Sequence, residues 1–139
     1  MTNPTHILLN RHGVVDFGTD EASLREDFAA SLATGESTLY DLTTADVATI
    51  ARIAAADCPT LTRKGTGFLG EGTHPAQPYL EAMLTMVDVG APDGYNVNDI
   101  RFGLDSATGT IRYFLTNASA WRGDVARAGK ARLKQILEG

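Results

Sequence analysis

The chain is expected to be a single α+β domain over residues 1–139, and three observations carry that expectation. Two segments, about 6–17 and 97–116, hold short β-rich runs on either side of a turn. Apolar residues recur at three- and four-residue spacing over about 20–34, 43–57, 75–87 and 119–137. Glycine and proline clusters separate these segments, while no repeat or low-complexity linker divides them. The expected architecture is an antiparallel sheet of four to five strands, built from two β-hairpins, with about four helices packed against it.

Taken in order, Ile7-Leu8-Leu9-Asn10 and Val14-Val15-Asp16-Phe17 flank Arg11-His12-Gly13, a spacing that suits a hairpin with Gly13 in the left-handed position. Thr19 or Asp20 can cap the first helix, where Leu24, Phe28 and Leu32 recur every four residues before Gly35 ends it. Ser37 to Leu42 reads either as a short strand or as a connection. Thr43-x-x-Asp46 resembles a capping box for a second helix, whose Val47, Ile50, Ala51 and Ala54 share a face. Pro59 stops that helix after about Asp57.

Pro75 and Pro78 fit a helix only in its first turn, so the third is expected from about Pro75 to Val87, on Leu80, Met83, Leu84 and Val87. Val97, Ile100, Phe102 and Leu104, then Ile111, Tyr113 and Leu115 beyond Ser106-Ala-Thr-Gly109, predict the second hairpin. Phe114 points away from Tyr113, which implies that the outer face is partly covered. The fourth helix runs from about Ser119 to Leu137.

A hydrophobic fraction of 43% with 21% charged residues describes a folded chain. Only three apolar residues, Ile7 to Leu9, follow the polar start, and no stretch approaches about 18. A soluble, cytoplasmic protein without a membrane partner is the expectation. Cys58 is the single cysteine and allows neither an internal disulfide nor a cysteine-based zinc site. At the end of a helix beside Asp57, it reads as a small buried side chain. His6, His12 and His74 are not spaced as two ligands on one helix face, and Asn96-x-Asn98-Asp99 lacks the glycine and glutamate of a calcium loop. No metal or cofactor is expected. The net charge of −5 is unevenly divided: residues 1–95 carry five Lys/Arg against thirteen Asp/Glu, and residues 96–139 carry seven against four.

Arg11-His12-Gly13 after an apolar strand resembles the opening signature of the histidine phosphatase superfamily, over about three residues and the strand before them. The resemblance implies His12 as phosphoryl acceptor and Arg11 as the group holding its oxygens. Such chemistry requires a second histidine and a second arginine around the phosphate. His74 is the only downstream histidine and precedes a helix, so a hairpin turn is the main reading of Arg11-His12-Gly13. Gly65-x-Gly67-x-x-Gly70 formally matches a dinucleotide fingerprint but follows no buried strand and opens no helix directly. Its glycines read as backbone geometry in a surface loop. Arg63, Lys64, Gly65 and Gly67 are the residues that would hold an anion there.

The final helix presents Arg127, Lys130 and Lys134 together, after Trp121-Arg122. Trp121 reads first as a core residue and second as a binding anchor with these cations. No set of titratable groups has the spacing that a reaction needs, so the functional expectation is a non-enzymatic binding module acting on a protein partner. The sharper form is an inhibitor or adaptor whose acidic body faces a basic surface, as an accessory protein of a mobile element antagonising host defence would. The alternatives are a nucleic-acid binder using the basic C-terminal helix and a phosphoryl-transfer enzyme using Arg11 and His12. Oligomeric state is left open.

Overall fold

The computed structural model describes residues 3–102 and 105–139. Strands β1 (His6–Asn10) and β2 (Gly13–Gly18) form an antiparallel hairpin, and β3 (Ser37–Asp41) pairs antiparallel with the other edge of β1. Ile7 and Leu9 belong to the main core, whereas Leu8 is fully buried outside it. Three consecutive buried side chains on alternating faces mean that β1 is the centre of a sheet covered on both sides.

One cover is the pair α1 (Glu21–Asp27) and α2 (Ala29–Thr34), which touch β2 and β3 respectively. Asp20 caps α1 by accepting from the Ser23 N–H, and Gly35 ends α2 at φ 80°. Between the two, Phe28 at φ −118° and ψ 25° leaves helical geometry. Leu24 is the buried residue of α1, also outside the main core.

The other cover is a helical layer of α3 (Val47–Asp57), α4 (Gln77–Met83), α5 (Ala107–Asn117) and α6 (Asp124–Glu138). Helix α3 contacts β2, α4 and α6, and α5 contacts α4 and α6. Asp46 organises the start of α3: Oδ1 accepts from the Thr49 N–H at 2.8 Å and Oδ2 from the Asp88 N–H at 2.6 Å. One carboxylate thereby caps a helix and pins a loop 42 residues away.

With six α-helices and a three-stranded antiparallel sheet among the described residues, the structure overturns the expected four to five strands and about four helices. The second hairpin over 97–116 is the main error. Arg101–Phe102 (β4) and Asp105–Ser106 (β5) pair as a short separate ribbon, and 107–117 is helix. Leu104, assigned to one hairpin arm, lies outside the described residues.

The physical reason sits at Ser106, whose Oγ accepts from the Gly109 N–H at 3.0 Å. Ser106-Ala-Thr-Gly109 is thus a capped helix start and not a turn. Ala107, Thr110, Ile111 and Phe114 then bury one helical face. Tyr113, which the strand reading placed on the inner face, is 53% exposed.

The remaining boundaries shift for local reasons. The first helix divides at Phe28, the second is capped by Asp46 and not by Thr43, and the third shortens to Gln77–Met83. The last begins only at Asp124, because residues 118–123 are spent seating Trp121 in the core.

Candidate functional site

Residues 63–74 connect a 3₁₀ turn at Pro59–Thr62, anchored by buried Leu61, to the start of α4. Their neck is sewn together from within. His74 N–H donates to the Arg63 carbonyl at 2.9 Å, Arg63 Nε to the Gly72 carbonyl at 3.0 Å, and Gly65 N–H to Thr73 Oγ1 at 2.9 Å. The two sides approach so closely at Gly65 that a Cβ there would overlap the Glu71 carbonyl oxygen. Here glycine is required by contact distance. His74 itself is buried, and its Nδ1 accepts from the Ala76 N–H at 3.0 Å, helping to start α4.

Beyond the neck the loop presents Phe68 and Leu69, which are 83% and 91% exposed. Leu69 has φ 62° and ψ 25°, in the left-handed region. For a residue with a Cβ that conformation costs roughly 1–2 kcal/mol. At this exposure, burial returns almost nothing. Beside the neck, a groove of about 210 Å³ is lined by Thr62, Lys64, Gln77, Leu80, Glu81 and Leu84. Lys64 Nζ lies 3.1 Å from Glu81 Oε2, and Gln77 Nε2 donates to the same oxygen at 2.6 Å. The Gln77 hydrogen bond, followed by the hydrogen bond and charge of Lys64, holds the Glu81 carboxyl below its ordinary value.

The four residues expected to hold an anion all lie in this neck. Arg63, Lys64 and Gly65 donate as just described, and the Gly67 N–H donates to the Glu71 carbonyl at 3.4 Å. Each of the four residues thus makes at least one hydrogen bond within the protein.

Arg11 and His12 sit at the exposed tip of the β1–β2 hairpin, where Arg11 Nε donates to His12 Nε2 at 3.2 Å. His12 N–H donates to Asn10 Oδ1, closing the turn. The crevice beside them is lined by Asn10, Arg11, His12, Gly35 and Glu36, so it brings neither His74 nor a second arginine to His12.

Trp121, at 1% exposure, lies in the core. Its Nε1 donates to Asp57 Oδ2 at 2.8 Å, and its ring packs so tightly on Gly129 that a Cβ there would overlap the indole. Lys130 Nζ lies 5.9 Å from the ring centre and donates to the carbonyls of Ala118 at 3.0 Å and Trp121 at 2.7 Å. Burial, then the charges of Lys134 and Arg122, push its pKa down. Trp121 and Lys130 therefore form one internal lock at the entry to α6. Arg122, Arg127 and Lys134 stay on the surface, Arg122 donating to the Ser119 carbonyl and Arg127 paired with Asp124.

In the sequence this segment stands out for its glycines and cations and not for Phe68 and Leu69, the pair that the structure exposes. The usable signal was two large apolar residues enclosed by Gly67 and Gly70. Such a tip has no neighbouring chain to bury it. Arg132 does not stand out either, because its partners are backbone carbonyls remote in sequence.

Among the described residues, no group of three or more His, Cys, Asp or Glu side chains is placed to hold a metal ion. No described helix is long and apolar enough to cross a membrane. Comparison with protein-family models, curated proteins and solved structures finds no match to this chain.

Proposed function

We propose that the chain is a small protein-binding module, an inhibitor or adaptor that acts by occupancy and not by turnover, with Phe68 and Leu69 as its anchors. The observation that carries the reading is Leu69, a leucine held left-handed and nine-tenths exposed at the tip of an internally bonded loop. Local strain kept without a folding reward marks a position retained for what it meets outside the fold. An adjacent phenylalanine doubles the apolar area on offer, and a pinned loop loses little conformational entropy when it docks.

The partner chemistry follows from the anchors themselves and from the net charge of the body that carries them. Two large apolar side chains call for an apolar cleft, and an excess of eight acidic over basic residues in 1–95 favours a cleft with a basic rim. Apolar contact supplies affinity while charge supplies rate and salt sensitivity.

The test is affinity capture with the whole chain against a double variant, Phe68→Ser with Leu69→Asn. Asparagine tolerates the left-handed conformation, so the loop is preserved. A protein retained by the natural chain, weakened by salt and lost with the variant supports the proposal. An identical set of proteins captured by both removes it.

A further inference from the structure

Arg132 of α6 is half-buried, and every acceptor it meets is neutral. Nε donates to the Ala45 carbonyl and Nη2 to the Gly90 carbonyl, both at 2.9 Å, while Nη1 reaches Gln135 Oε1 at 3.4 Å. Among the described residues no carboxylate pairs with it within 4.0 Å. Asp41 acts on it only through space. A guanidinium has five N–H donors, so about two remain undirected.

Alongside lies a crevice of about 380 Å³, within the size range of small-molecule sites. Thr43, Asn96 and Gln135 give it polar walls, Val97 and Ile136 apolar ones, and the exposed ring of Tyr95 stands at its side. No Asp or Glu side chain lines it, in a chain that carries 17 of them; Gly139 with its terminal carboxylate also borders it, without pairing with Arg132 within 4.0 Å. A second hollow of about 240 Å³ also borders Thr43, Arg132 and Gln135, so these three residues form the partition between two openings.

We propose that the larger crevice binds a small organic acid, its carboxylate on the undirected N–H groups of Arg132 and its hydrocarbon part against Val97 and Ile136. The paired geometry of a guanidinium suits a planar carboxylate, and the apolar walls give the rest of the molecule a reason to stay. The site shares no residue with the Phe68–Leu69 loop and stands or falls apart from it.

Two variants leave the carbonyl bonds of Arg132 untouched. Gln135→Glu sets a carboxylate where Nη1 already points, supplying an internal counter-ion. Asn96→Asp keeps an oxygen for the Asn98 N–H, which Asn96 Oδ1 accepts at 2.8 Å, and adds negative charge to the wall. The experiment is an amide-resolved NMR titration of the full chain with benzoate, hexanoate and, separately, inorganic phosphate. Saturable shifts at residues 90–97 and 132–136 with either organic acid are expected, with affinity falling at least about tenfold in each variant. The proposal is overturned by no saturable shift with either acid up to about 20 mM, well above a weak ligand's Kd. Phosphate binding alone, or unchanged affinity in Gln135→Glu, overturns it equally.

Discussion

Two glycine-bearing loops, 63–74 and 88–97, have the same look in the sequence and opposite relations to the core. In the second, Val89 and Val97 are buried, the Asp88 N–H is held by Asp46, the Val89 carbonyl accepts from Val47 N–H at 2.9 Å, and the Gly90 carbonyl is held by Arg132. In the first, the neck hydrogen bonds run within the loop itself apart from the Lys64–Glu81 pair with α4, and the large side chains at the tip face outward. One loop closes the interior, whereas the other displays side chains on a frame of its own. Glycine content reports only that the backbone bends; the destination of the intervening apolar residues reports what the bend is for.

The contrast breaks most visibly at Gly90. A Cβ there would stand 2.6 Å from Ile136 Cγ2, and φ is 82°, so Gly90→Ala combines overpacking with a left-handed penalty. A loss of about 3 kcal/mol is expected in urea unfolding. A loss below about 1 kcal/mol would mean that this loop is not tied to the core.

Next comes Arg132→Ala, which leaves the Ala45 and Gly90 carbonyls without their donor and removes the arginine stem from the surface of α6. The expected cost is about 2 kcal/mol, with faster amide hydrogen exchange across 88–97 and none of that acceleration across 63–74. Equal acceleration in both loops would erase the distinction between them.

Asp46 sharpens the comparison through pH. Burial raises its pKa, but the Thr49 and Asp88 hydrogen bonds and the charge of Arg52 outweigh it, and the folded-state pKa is lowered. A lowered folded pKa contributes stability above the ordinary carboxylate value and loses it as pH falls through the folded value. Asp46→Asn should therefore cost about 1 kcal/mol at neutral pH, through the bond to Asp88 N–H, and progressively less between about pH 5 and pH 3. Asp41, also lowered despite burial by Thr43 and His6, contributes to the slope of the parent and is unaffected by the variant. A gap between parent and variant that stays constant with pH would contradict this account.

The same lesson governs how much of the fold the sequence reveals. Where a period and a breaker agree, as at Val47 to Ala54 and Pro59, the element lies within a few residues of its expected place, although its cap is Asp46 and not the expected Thr43. Ile111, Tyr113 and Leu115 satisfy a strand period while Ala107, Thr110, Ile111 and Phe114 satisfy a helical one, and β-rich composition cannot choose between them. Burial chose, since the helical face includes Phe114 and the strand face would bury Tyr113. The short β3 was ambiguous because its partner, β1, is some 30 residues distant and supplies its pairing. Trp121 was legible as core for its size, but its seat on Gly129 and its bond to Asp57 were not. Likewise, Phe68 and Leu69 are visible in the sequence, but their exposure is set by how the neck closes.

Leu69→Gly is the smallest effect and the sharpest separation of the two loops. At φ 62° glycine avoids the side-chain penalty, though it brings a more disordered unfolded chain, so the two terms oppose each other. Because a side chain 91% exposed forfeits almost no burial on removal, the sum should lie between no change and a gain of about 1 kcal/mol. Binding to a captured partner should fall at the same time, which puts stability and recognition on opposite sides of one substitution. Chemical unfolding of the purified variant beside its parent reads the first quantity without knowledge of the partner. A loss exceeding about 1 kcal/mol would show that Leu69 supports the fold as Gly90 does, and the two loops would then differ in position but not in kind.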